Sequence, residues 1–209
     1  MEDVLAVYNL PFDQKRPVLC FDELPVQLLG EIVAPLPLEK DKPKRIDYEY
    51  KRAGTAVLFV AFEPLTGKRI VEASRRRTKT DYCRFMQRVA GEFPAAEKIV
   101  LVQDNLNTHN ASSFYENLSA PEAFELMNQF EFHYTPKKGS WLNMAELELS
   151  AVSRICLSGR IGTIEELKQE IKAIIKERNE LEIKVKWQFT VEQARQKLGR
   201  HYDELTSNN

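Results

Sequence analysis

The sequence predicts an α/β protein in which helices cover the faces of a mixed, five-stranded sheet. Three observations lead there: strand-length apolar runs bounded by turn residues, apolar positions at helical spacing, and the interleaving of the two along the chain. With 209 residues, the chain can bury one sizeable core and carry a small helical appendage. Its 43% hydrophobic and 29% charged content is ordinary for a globular protein.

Taken in order, residues 1–17 hold Leu10-Pro11-Phe12-Asp13-Gln14-Lys15-Arg16-Pro17 and read as a lead-in or linker. Val18-Leu19-Cys20-Phe21 forms a buried strand that ends near Asp22. Prolines at 25, 35, 37 and 43 predict an extended excursion from Pro25 to Arg45 with few regular hydrogen bonds. Tyr48–Arg52 and Thr55–Glu63 read as strands paired around Ala53-Gly54. After the turn Leu65-Thr66-Gly67-Lys68, Arg69–Ala73 completes an antiparallel meander.

Tyr82, Phe85, Met86 and Val89 fall at helical spacing and define a helix from Thr80 to Phe93, closed by Pro94. Ile99–Gln103 is a second buried strand, ending at Asp104. Two short helices fill Asn110 to Asn128, the second restarting at Ser119-Ala120-Pro121-Glu122. Phe130–Tyr134 alternates as a strand does, and a helix runs from near Asn143 to about Cys156. The capping box Thr163-x-x-Glu166 opens a longer helix to about Leu181, with one apolar face of Ile164, Leu167, Ile171, Ile174 and Ile175. A last short helix covers Thr190–Leu198. The expected division is a lead-in (1–17), an α/β domain (18–158) and a C-terminal helical extension (159–209) packed on that domain or on a partner.

Lys+Arg total 30 against 31 Asp+Glu, a formal net charge of -1. A free-standing nucleic-acid binder is usually basic, so any such role needs a local basic face or help from a further part of the protein. Cys20, Cys83 and Cys156 are far apart and lack metal-ligand spacing. They read as ordinary thiols of a reducing compartment, Cys20 and Cys83 as small buried hydrophobes. No apolar run approaches a membrane span and no signal-peptide pattern is present, so the expected location is cytoplasmic.

Asp22, Asp104 and Glu146 are the candidate chemical groups. A carboxylate at the end of a buried strand is poorly hydrated, and two side by side repel; a divalent cation relieves both problems. Two strand-end aspartates with a helix glutamate therefore read as a site for two Mg²⁺ ions, suited to phosphodiester cleavage and strand transfer. Each acid also has an ordinary reading. Asp22 fits a turn, Asp104 fits an N-cap, and Asn143-x-x-Glu146 fits a capping arrangement. Glu148 lies on the same helix but on another face, and strand alternation sends Glu23 away from Asp22.

Phe21-Asp22-Glu23, Asp104-Asn105-Leu106-Asn107-Thr108-His109 and Ser140-Trp141-Leu142-Asn143-Met144-Ala145-Glu146 together resemble the catalytic domain of bacterial insertion-sequence DDE transposases, in the branch related to mariner-type elements. The resemblance implies a ribonuclease H-like fold, a DDE-type transposase and two Mg²⁺ or Mn²⁺ ions. It also implies DNA as partner (element ends and target DNA) and a homodimer or higher assembly when active. Within it, Asp22, Asp104 and Glu146 are the catalytic and metal-binding trio, one ion bridged by Asp22 and Asp104, the other held by Asp22 and Glu146. The chain departs from the family in its longer Asp104-to-Glu146 spacing and in starting where the helix-turn-helix region of such transposases would be expected to end.

Lys137 and Lys138, a few residues before Glu146, are expected to contact DNA phosphates; Arg75-Arg76-Arg77 is left open. His109 is either a contact to the scissile phosphate or metal-bound water, or a polar helix-start residue, and Trp141 either a core anchor or a base-stacking surface. Asn105 and Asn143 are expected to support the acids by local hydrogen bonds. Two other readings stay open: a non-transposing ribonuclease H-like nuclease, and an inactive remnant acting as an interaction module.

Overall fold

The computed structural model describes residues 1–32, 49–137, 139–157 and 159–199. Five strands form one sheet in the order β3-β2-β1-β4-β5. They are β1 (Val18–Glu31), β2 (Tyr50–Glu63), β3 (Lys68–Ser74), β4 (Ile99–Gln103) and β5 (Phe130–Tyr134). The first three are an antiparallel meander, whereas β4 and β5 run parallel to β1. This is the ribonuclease H-like mixed sheet that the resemblance implies.

The two faces are covered separately. Helices α2 (Lys79–Gly91), α3 (Ser112–Tyr115) and α4 (Ala120–Gln129) bury Phe21, Phe59, Leu101 and Phe130 on one face. On the other lie α5 (Ala145–Cys156) and α6 (Ile164–Glu180), over Leu58, Val60, Phe62 and Val71. The helix α6 turns Ile164, Leu167, Ile171 and Ile174 onto its own sheet, each such side chain contributing about 1.5–3 kcal/mol when fully buried. The helical extension thus packs on this chain's own domain.

Three local expectations are corrected. First, Glu2–Tyr8 of the expected lead-in is a helix, α1, whose Val4, Leu5 and Val7 are buried against Val18, Val100 and Val102. Its first turn is acidic, as the positive end of the helix dipole favours. The last short helix, α7 (Val191–Lys197), adds Ala194 to the same cluster.

Second, β1 does not stop at Asp22 but continues through Pro25 to Glu31, paired with β2. Proline is tolerated because the parallel pairing of β1 with β4 ends at Cys20–Val102, so no β4 partner needs the missing N–H. The rest of the expected excursion, 33–45, lies outside the described residues, as does Tyr48 of the next expected strand.

Third, Ala53-Gly54 is no turn: β2 is one strand of 14 residues. The register against β1 shifts between Leu28 and Leu29, opposite Gly54, whose φ of +114° suits glycine at such an irregularity. Gly67 (φ +81°) does mark a turn, and a Cβ there would stand 2.8 Å from the backbone of Glu182.

Candidate active site

Parallel pairing between β1 and β4 last registers Cys20 with Val102. Asp22 and Asp104 each lie two residues further along, which brings them to neighbouring positions. Alternation puts both on the side of Cys20, Val100 and Val102, the face covered by α1 and the start of α5. Beyond Gln103 the β4 strand has ended, so β1 is paired on one side only and space opens beside Asp22.

Asn143 ties the segment that carries the third acid to the first. Its amide Nδ2 donates to Phe21 O (2.8 Å) and to Asp22 Oδ2 (3.4 Å), and its Oδ1 accepts from Ala145 N (3.1 Å). One buried side chain thus ties the start of α5 to the backbone of β1. Glu146 sits in the first turn of α5. The helix is entered through Met144 without a side-chain cap, so Glu146 is not the capping acid its spacing allowed.

Burial raises the Asp22 carboxyl to about 6, assisted by the negative charges of Asp104 and Glu146 and opposed by the Glu23 N–H donating to Asp22 Oδ1 (2.8 Å). Asp22 therefore feels both of the other acids. The three offer only carboxylate oxygens, hard donors of the kind Mg²⁺ and Mn²⁺ accept. Among the described residues, no three His, Cys, Asp or Glu side chains stand close enough to enclose an ion. Repulsion between uncompensated carboxylates favours that separation.

His109 is wholly buried, stacked on Tyr82 (centroids 5.0 Å, 27°) and edge-on to Phe21 (5.0 Å, 80°). Its Nδ1 lies 2.5 Å from Asp104 Oδ1 and its Nε2 lies 2.8 Å from Glu23 Oε1. Burial alone would lower its pKa, but the bonds to Asp104 and Glu23 outweigh burial and raise it to about 9. The expected phosphate contact is therefore corrected: both ring nitrogens are engaged away from solvent, and His109 orients Asp104. Glu23 has strand alternation to thank for facing His109 on the opposite side of β1 from Asp22. The residue that sequence reasoning missed here is Gln103, which accepts from Tyr82 Oη (2.9 Å) and donates to His109 O (2.8 Å).

The other expected site residues are scattered around this centre. Asn105 is exposed and makes no hydrogen bond to an acid among the described contacts, so the support expected of it is not seen. Lys137 is exposed on the loop before α5, and Lys138 lies outside the described residues. Trp141 is 49% exposed and stacks on Trp187 (6.5 Å, 21°), with Phe189 edge-on at 5.8 Å. It is a partly open aromatic surface rather than a core anchor.

Glu148 meets a different fate two residues after Glu146. It is buried beneath Arg69 and Arg178, with Arg178 Nε and Nη2 donating at 2.7 and 2.9 Å. Arg69 Nε lies 2.6 Å from Glu148 Oε1 without lining up for a hydrogen bond. Burial raises this carboxyl, and the two arginines outweigh it to hold the group below the usual range.

The mixed sheet carries Asp22 within its first strand and Asp104 just past the end of its fourth, with Glu146 in the first turn of α5. Residues 17–168 match the family described as DDE superfamily endonuclease, and the chain belongs to it. No curated protein sequence matches. Among solved structures, it is similar to the Mos1 mariner paired-end complex with Mn, at 16% identity over 86% of this chain and 58% of that one (TM-score 0.47). It is also similar to the Mos1 transposase paired-end complex with the left transposon end, at 13% identity over 81% and 55% (TM-score 0.47). A third is a simian T-cell lymphotropic virus intasome in complex with PP2A regulatory subunit B56 gamma, at 9% identity over 77% and 49% (TM-score 0.47). The chain thus spans about three-fifths of the Mos1 chains or less.

Proposed function

We propose that this chain is the catalytic core of a DDE-type transposase of the bacterial insertion-sequence, mariner-related kind, cleaving DNA and transferring strands in the cytoplasm as a homodimer or higher assembly. The observation that supports this most is the placing of Asp22 and Asp104 at neighbouring positions on adjacent strands, with Glu146 near enough for its charge to raise Asp22, in a chain of the DDE family. Asp22, Asp104 and Glu146 would hold two Mg²⁺ or Mn²⁺ ions. When bound, such ions lower the pKa of an attacking water or DNA 3′-hydroxyl and stabilise the leaving oxygen in an in-line displacement.

The chain's own residues prepare the site. Asn143 holds the start of the Glu146 helix against Asp22. His109, braced by Glu23 and Tyr82, fixes the direction of the Asp104 carboxylate. Lys137 and Lys138 are placed in sequence to meet DNA phosphates as they approach Glu146, and Trp141 offers a ring face to an unpaired base. The test is Mn²⁺-dependent nicking of supercoiled plasmid by wild type and Asp104→Asn. Nicking that disappears in the variant supports the reading, and equal nicking by both removes Asp104 from the trio.

A further inference from the structure

We propose that the cleft between β3 and α6, remote from the three acids, is a second DNA-backbone site that holds duplex flanking the cleaved position. The inference rests on the nucleic-acid reading above, but the cleft stands on its own geometry. It encloses about 500 Å³ and is floored by Ile171 and Ile175 of α6 and by the edge of β3. Lys168, Lys172 and Lys176 recur along α6 once per turn, about 6 Å apart, and all three are exposed. Lys68 and Arg88 face them across the opening.

Charge decides the class of ligand. Lys68 is answered by Glu92 at 3.0 Å, Arg88 by Glu72 at 3.3 Å, and Lys176 by Glu180 of its own helix at 3.8 Å. Lys168 and Lys172 have no ion-pair partner among the described residues. Although Glu72 and Glu92 also line the cleft, Lys168 and Lys172 remain uncompensated one helical turn apart, in a chain of net charge -1, which suits an anion with charges repeating at that step.

Edge-strand addition by a peptide is the competing use of such a cleft, and the edge is blocked. The Asn179 side chain accepts from Arg69 N (2.9 Å) and donates to Arg69 O (3.0 Å), and Arg88 donates to Val71 O (3.2 Å). Those main-chain groups are already paired as a neighbouring strand would pair them.

The test is binding of a fluorescein-labelled 30-base-pair duplex in EDTA, followed by anisotropy from 50 to 300 mM KCl. Wild type is compared with Lys168→Gln/Lys172→Gln and with the control Lys15→Gln/Lys98→Gln, which removes the same charge elsewhere. Both cleft positions are on the solvent side of α6, so circular dichroism should be unchanged. The proposal expects the slope of log affinity against log salt to fall by roughly 1.8, about 0.9 per lost phosphate contact, in the cleft variant alone. An equal effect of both double variants, or none of either, overturns it. Binding of poly-glutamate in place of duplex would also overturn it and assign the cleft to an acidic protein segment. The EDTA assay involves no cleavage, so failure here with plasmid nicking intact removes the cleft and leaves the catalytic reading standing.

Discussion

Glu146 and Glu148 stand two residues apart on one helix and are opposite solutions to the same problem. Glu148 is buried and neutralised by Arg69 and Arg178, and so serves as a brace between α5, β3 and α6. Glu146 is only partly buried, has no arginine, and adds its charge to a neighbourhood that already raises Asp22. His109 answers Asp104, but among the described residues no arginine or lysine pairs with Asp22 or Glu146. Glu148 holds the fold, and the proposed function gives Glu146 to a metal ion.

The largest expected effect lies on the open side of that comparison. Asp104→Asn should lower Mn²⁺-dependent nicking at least about a thousandfold, the scale of losing several kcal/mol of transition-state stabilisation. The substitution also weakens the bond to His109, so its thermal midpoint should fall modestly while the fold persists, and scanning calorimetry alongside the nicking assay checks both. The braced side should respond the other way. Glu148→Ala leaves Arg69 buried and unpaired, and should cost about 3–5 kcal/mol in urea unfolding. Glu146→Gln, by contrast, should stay within about 0.5 kcal/mol of wild type. Equal costs for the two glutamates would break the distinction.

Two pH effects sharpen it. His109 is raised to about 9 by Asp104 and Glu23, so its contribution is full below about 6.5 and is lost as pH rises through 9. Wild type should lose up to about 3 kcal/mol over that window, and His109→Gln should not show this loss. Asp22 is raised to about 6 by burial and by its acidic neighbours, so the penalty is absent below about 4 and complete above 6. Asp22→Asn should therefore stabilise the metal-free protein at pH 7 by on the order of 1–2 kcal/mol, a gain that fades by pH 4. A variant that gains stability while losing cleavage is the signature expected of a functional acid.

Much of this was legible in the sequence because it is periodic. The β2–β3 hairpin around Gly67, the buried strand Ile99–Gln103, the α2 helix and the capped helix from Thr163 all announce themselves by spacing or punctuation. The misses share one cause, that the deciding neighbour is distant in the chain. Pro25 looks like a breaker until β4 is seen to end before it, and Glu2–Tyr8 looks like a linker until β1 and β4 provide a surface for Val4 and Leu5. At the site, the acids and Asn143 could be chosen from local motifs. That His109 is buried rather than exposed depends on Tyr82, 27 positions earlier, and on Glu23. The neutralisation of Glu148 likewise depends on Arg69 and Arg178, which nothing in its own segment foretells.

The most direct test of the account is to count bound Mn²⁺ by the loss of its free-ion electron paramagnetic resonance signal, with a duplex present, for wild type, Asp104→Asn and the surface control Glu125→Gln. The account predicts two ions per wild-type chain, the same in the control, and loss of binding in Asp104→Asn. No Mn²⁺ uptake by the folded wild type at millimolar metal, or uptake unchanged by Asp104→Asn, would contradict it.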